Sequence, residues 1–278
     1  MFDIVSCVEI IQLIYKIPSM LLMMLTIYVI IKEIKNKNVY FNKQFYTIIV
    51  CKLINEIIFI INIYVFTIIP KWGFYNHFLE NNNWTAGIFL SLASQQTTFM
   101  FFITLLISIN RYVAVKYPLS YKIYFSKSKI VVILLSSIML STMFGLVNIS
   151  FKPRYIKYPL YGYIVPYLQS KDVIYYQVFC QIFLFGIISI TTCTLNVIAI
   201  LTLKKHNLIG NKYKKELHYT TYSIFVFITL FLIEAFFVCR FITVNYAIKF
   251  FSYIANFLHV VAFDLTYIGN FYFLLYSW

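Results

Sequence analysis

Lys52, Glu56, Glu234 and Asp264 stand inside stretches of sequence that are otherwise almost wholly apolar. A charge inside a lipid core costs about 2.5–3.5 kcal/mol, so each of these side chains needs a partner or a task. The chemistry open to them is ion pairing, proton transfer or the binding of a small ion. Lys52 and Glu56 are four residues apart and share one face if the stretch is helical. At a rise of about 1.5 Å per residue, Glu56 lies about 15 Å from the end of its apolar run and Asp264 about 16 Å from the end of its own, both near mid-depth. Lys52, Glu56 and Asp264 are therefore expected to form an intramembrane polar network: either a packed, salt-bridged core or a site for an ion or proton.

A second polar group is the run Gln95-Gln96-Thr97-Thr98. Gln96, Thr97 and Met100 share a helical face with Ala93, Thr104 and Arg111, and Gln96 and Thr97 lie about 21–23 Å from Arg111 along the axis. They are candidates for a ligand pocket, with hydrogen bonding between helices as the competing reading. Enzymatic chemistry finds no foothold. H-E-x-x-H, G-x-x-x-x-G-K-[ST], G-x-G-x-x-G and G-x-S-x-G are absent, and the histidines fall singly at 77, 206, 218 and 259. Cysteines at 7, 51, 180, 193 and 239 are too dispersed for a zinc site or a redox pair. No catalytic residue, metal ligand or cofactor is expected, and retinal is excluded because Lys249 is the only lysine near the last apolar run and sits at its mouth.

The elements that must position these residues follow from composition. Of 278 residues, 62% are hydrophobic and 12% charged, against roughly 45–50% and about 25% in soluble proteins, which excludes a water-soluble globule. The excess apolar surface requires a bilayer as solvent. Seven runs are long enough to cross it: 10–31, 46–69, 86–109, 130–151, 174–203, 220–241 and 250–275, with the fifth expected to start later than Ile174 and Pro18 expected to kink the first. The fold class is an all-α membrane protein, a single seven-helix bundle over 1–278. Asp3 and Glu9 before the first run, without Lys or Arg, argue against a cleavable signal peptide.

Orientation follows from loop charge. The first, third and fifth connections carry fourteen Lys and Arg against seven in the others, which places the odd connections and the C-terminus in the cytoplasm and the N-terminus outside. The net charge of +14 is accounted for in this way and forms no basic face for nucleic acid. The pattern N-x-[ST] occurs at Asn83 and Asn148, neither in a cytoplasmic loop; Asn83 is the glycosylation candidate, while Asn148 reads as a helix end. The fourth connection, residues 151–163, is rich in Tyr and Pro and reads as an aromatic belt at the lipid interface or a cover over a ligand entrance. Lys204, Lys205, Lys212, Lys214 and Lys215 in the fifth suit a G protein or anionic lipid.

The third run ends in Ser108-Ile109-Asn110-Arg111-Tyr112, with Pro118-Leu119-Ser120-Tyr121 following. This resembles the rhodopsin-like receptor signature, with Arg111 and Tyr112 matching, Asn110 replacing the acid, and Pro118, Leu119 and Tyr121 matching the loop. Without that acid a weaker resting restraint on Arg111 is expected, and a plain snorkelling arginine is the alternative. Other rhodopsin-like landmarks are missing: there is no Trp in the fourth run, no Trp-x-Pro in the sixth, no Asn-Pro-x-x-Tyr in the seventh and no outer cysteine pair. The whole chain resembles the nematode serpentine chemoreceptors, and among them serpentine receptor class gamma. The carrying residues are 12–19, Phe41-Asn42-Lys43-Gln44-Phe45-Tyr46, 107–111, Tyr121-Lys122-Ile123-Tyr124, Asp264-Leu265 and Tyr272-Phe273-Leu274-Leu275. Phe271 stands where that class usually has proline.

The resemblance implies a plasma-membrane chemosensory receptor of sensory neurons. An extracellular small molecule is the expected ligand, a heterotrimeric G protein the expected partner, and Asn110, Arg111 and Tyr112 the expected coupling residues. The rival is a multi-pass transporter or ligand-gated channel using Glu56, Glu234 and Asp264.

Overall fold

Backbone N–H and C=O groups in lipid have no water to bond, so the chain satisfies them within helices. In a computed structural model describing residues 4–36, 43–157, 164–205, 211–246 and 248–276, seven helices are long and apolar enough to cross a membrane. They run over Glu9–Lys35, Lys43–Lys71, Asn83–Lys116, Lys127–Phe151, Val173–Lys205, Leu217–Thr243 and Tyr253–Tyr276. The fold is the all-α seven-helix membrane bundle expected from composition. Asp3, Phe41, Asn42, His206 and 158–163 fall outside the described residues, as do the side chains of Cys7, Lys212, Lys214, Lys215 and Lys249.

The helical bodies are α1 (Ile4–Lys35), α2 (Lys43–Ile63), α3 (Asn83–Lys116), α4 (Lys127–Leu146), α5 (Phe185–Lys205), α6 (Asn211–Tyr246) and α7 (Lys249–Asp264). Three of them, α1, α3 and α6, outlast their apolar windows at both ends, because Lys, Arg and Tyr near helix ends keep their stems in lipid and their polar heads at its edge. The fifth span corrects the expected late start: it is helical from Val173, through Val173–Gln177 and a π turn at Val178–Leu184 into α5. Two more π turns, Tyr64–Ile68 after α2 and Leu265–Gly269 after α7, interrupt the second and seventh spans. Pro18 lies inside α1, which continues through it; beside it the Ser19 hydroxyl donates to the Tyr15 carbonyl at 2.6 Å.

The chain divides into two units, Met1–Thr98 with Ile138–Val173, and Phe99–Ser137 with Ile174–Trp278. In the first, α1 packs on α2, and Lys71 Nζ ties the end of the second span to Glu9 at 2.8 Å. The Asn55 amide donates to the Gln96 carbonyl at 3.2 Å and the Asn62 amide to Gln96 Oε1 at 3.4 Å, which joins α2 to α3. The α3–α4 crossing depends on Gly145, where a Cβ would stand 2.5 Å from the Ser91 carbonyl oxygen and 2.9 Å from Gln95 Cβ. That oxygen is backbone and cannot swing aside. Gly145→Ala should destabilise the protein by roughly 1–3 kcal/mol, read as a lower thermal midpoint of purified protein; an unchanged midpoint would show that the helices separate freely.

Part of the fourth connection is regular structure. It folds as an antiparallel hairpin of β1 (Pro153–Lys157) and β2 (Ile164–Leu168), with Tyr155 opposite Pro166. Alternation turns Tyr155 and Ile164 inward, where they pack with Leu79 and Ala86. The Tyr155 hydroxyl donates to the Phe66 carbonyl at 3.1 Å, and the Tyr75 hydroxyl donates to that of Val65. Both carbonyls belong to the π turn after α2. Burial, and then the neighbouring Tyr75, push the Tyr155 hydroxyl far above the ordinary phenol range, so it remains a donor. Asn148 is buried and donates to the Gly145 carbonyl at 3.0 Å, the helix-end role read from the sequence.

The second unit holds α5, α6, α7 and the Arg111 end of α3. Aromatic rings join them: Phe101 stacks on Phe185 at 4.0 Å between centroids, and Phe225 on Phe273 at 4.4 Å.

Candidate functional site

Helix α3 continues for five residues past Arg111, which keeps the arginine inside the helix rather than at its frayed end. Its side chain has no solvent exposure. A snorkelling arginine would place its head in water, so that reading does not describe this residue. The guanidinium Nη2 donates to Asn110 Oδ1, and its central carbon lies 4.6 Å from the centre of the Tyr219 ring on α6. Asn110 thus supplies a neutral acceptor at the position where the signature has an acid. Neither contact is an ion pair. The Asn110 amide donates in turn to the Tyr121 hydroxyl at 2.9 Å, and Tyr121 stacks on Phe125 at 5.5 Å. Tyr112 is half-buried; its hydroxyl accepts from Lys116 Nζ at 2.6 Å, and that ammonium also lies over the Tyr112 and Tyr117 rings.

One turn before Arg111, Ser108 Oγ lies 3.0 Å from Ser223 Oγ on α6, and Ser223 Oγ donates to Asn196 Oδ1 on α5 at 2.8 Å. All three are buried. Three spans are therefore cross-linked by neutral hydrogen bonds directly beside a buried cation. Each such link is weak, ~0.6 kcal/mol on average in membrane proteins, so the set can rearrange without a large penalty. A second set joins α6 to the seventh span: the Asn270 amide donates to Thr229 Oγ1 at 3.1 Å and to the Thr266 carbonyl at 2.7 Å, and Thr266 Oγ1 donates to the Thr229 carbonyl at 3.3 Å.

A family model for Srg chemoreceptors matches residues 9–277. The chain belongs to the Srg family of chemoreceptors. No curated protein matches it. Family and fold together make this Srg protein a multi-pass membrane receptor.

The remaining candidates divide between the two units of the Srg receptor. Lys52 and Glu56, both without exposure, are hydrogen-bonded to one another through Lys52 Nζ and Glu56 Oε1, as the four-residue spacing requires. Asp264 is half-buried at the end of α7, in the other unit. Gln96 serves the α2–α3 seam, and the Thr97 hydroxyl donates to Ala93 of its own helix at 2.8 Å. Met100 is wholly enclosed. An open apolar groove of about 590 Å³ lies elsewhere, along Ile174, Tyr175, Val178, Phe179 and Phe183 on one flank of the fifth span; such a flank suits lipid chains. Asn83 is exposed at the first residue of α3, while Thr85 is buried with its hydroxyl on the Asn82 carbonyl at 2.6 Å. Sequence reading missed Tyr219, Asn196, Ser223 and Thr229; polar residues within apolar runs were the available signal, but nothing local says which of them meet.

Proposed function

We propose that this Srg receptor binds an extracellular small molecule and passes the signal to a cytoplasmic heterotrimeric G protein through the Arg111 end of α3. The observation that carries the reading is a fully buried arginine held by an amide and an aromatic face, between helices joined by weak neutral bonds. A buried guanidinium with five donors can exchange those partners for the carbonyls of a docked protein when α6 moves. The ligand acts by binding better to the open arrangement and shifting the population toward it. The test is calcium imaging of receptor-expressing cells that carry a promiscuous G protein, screened with small molecules. Responses that require the G protein support the reading; a ligand-dependent current without it would establish the channel instead.

In this reading the N-terminus is outside and Arg111 lies toward the cytosolic end of its span, which the fourteen-to-seven charge asymmetry supports. An epitope at the N-terminus should stain on intact cells and one after Trp278 only after permeabilisation. The reverse pattern would move Arg111 to the wrong side and end the coupling proposal. Asn83, in the connection this orientation places outside, is the expected glycan carrier, tested by loss of a mass shift in Asn83→Gln.

A further inference from the structure

Glu234 is a half-buried acid on α6 that takes part in neither the Lys52–Glu56 nor the Lys71–Glu9 pair. Its Oε1 lies against the fifth span, where a Cβ on Gly186 would stand 3.0 Å away, so the glycine leaves the room the carboxylate occupies. The Ser189 hydroxyl, one turn along α5, lies close to the same carboxylate. Its Oε2 is shut off from solvent and has no hydrogen-bond partner. A carboxylate in a membrane with an unused acceptor lacks part of the compensation that its burial requires.

Aromatic residues flank it in sequence on both helices. Phe185 precedes Gly186, stacks on Phe101 and lies 6.0 Å from Phe237, one turn beyond Glu234 on α6. Phe237 continues through Phe236 at 5.3 Å to His259 and Phe263 of α7, at 5.3 and 5.5 Å from Phe236. The π turn Val178–Leu184 ends directly before Phe185, and such turns frequently mark functional sites. A spare carboxylate oxygen beside aromatic faces is complementary to an organic ammonium. The N–H bonds to the oxygen, and the positive charge spread over the adjoining carbons rests on the rings.

We propose that Glu234 is the counter-ion of a small organic ammonium ligand seated between the fifth span and α6, against Phe185 and Phe237. The inference rests on the reading of the protein as a ligand-activated receptor and adds the chemical class of the ligand. The test uses purified full-length receptor in lipid nanodiscs, with no G protein, and measures binding of phenethylammonium against its uncharged counterpart phenylethanol by calorimetry and thermal midpoint. Phenethylammonium should bind and raise the midpoint, with phenylethanol at least roughly tenfold weaker, as expected for loss of a charged hydrogen bond. Glu234→Gln keeps the shape and should weaken the ammonium by a similar factor while leaving phenylethanol unchanged. Phe237→Leu, which keeps the carboxylate, should weaken the ammonium severalfold and serves if the Gln variant does not fold. Equal affinity for the two probes, or undiminished ammonium binding in Glu234→Gln, would overturn the site. Ammonium binding without G-protein signalling would keep the site and overturn the coupling reading, whereas signalling to other ligands without ammonium binding would do the reverse.

Discussion

Arg111→Ala, brought to wild-type surface level, should lose G-protein activation by roughly 5- to 150-fold, the span of a typical coupling free energy. Folding should suffer less than signalling. Removing a fully buried guanidinium gives up the Asn110 and Tyr219 contacts but also relieves the cost of holding a cation out of water. Arg111→Lys should recover only part of the signal, because an ammonium on a flexible stem does not present a planar fork of donors. Two neighbours report on the resting side of the equilibrium. Asn110→Asp turns a neutral acceptor into a charged one and strengthens the hold on Arg111, so basal activity should fall. Tyr219→Leu removes the aromatic platform and should raise it. Equal signalling by wild type and Arg111→Ala at matched surface levels would falsify the coupling role.

The largest effect on stability is expected at the Lys52–Glu56 pair. Both side chains are wholly enclosed on α2, and Glu56 Oε2 has no hydrogen-bond partner of its own. Lys52→Met or Glu56→Gln leaves one charge buried without its partner, at a cost of about 3–5 kcal/mol. That is a large share of a total stability of roughly 5–15 kcal/mol, so either single variant should fail to reach the cell surface. The double variant Lys52→Met/Glu56→Leu removes both charges and should return to the surface. Its response to ligand then separates the two roles: normal signalling marks the pair as structural, lost signalling at normal surface level marks it as part of the switch. Single variants as stable as the wild type would refute the energetic argument.

The sequence alone determined the seven spans, the fold class and the place of Arg111 on the third of them. It could do so because a lipid-embedded helix satisfies its backbone within itself, so span and length are local properties. The Lys52–Glu56 pair was legible for the same reason, since four residues on one helix define the contact. Only the tertiary structure decided which face of each helix turns inward. Lipid tails are as apolar as Leu, so the inward and outward faces carry no contrast in hydrophobicity from which rotation could be read. Asn62 meeting Gln96, Ser108 meeting Ser223 and Arg111 meeting Tyr219 therefore stayed hidden, although every one of those residues was visible. The hairpin was hidden for a different reason: its strands are five residues long, each containing a proline, too short for alternation to stand out. At the π turn Tyr64–Ile68 the carbonyls at 65 and 66 accept from hydroxyls at 75 and 155, the second of which only the fold brings near.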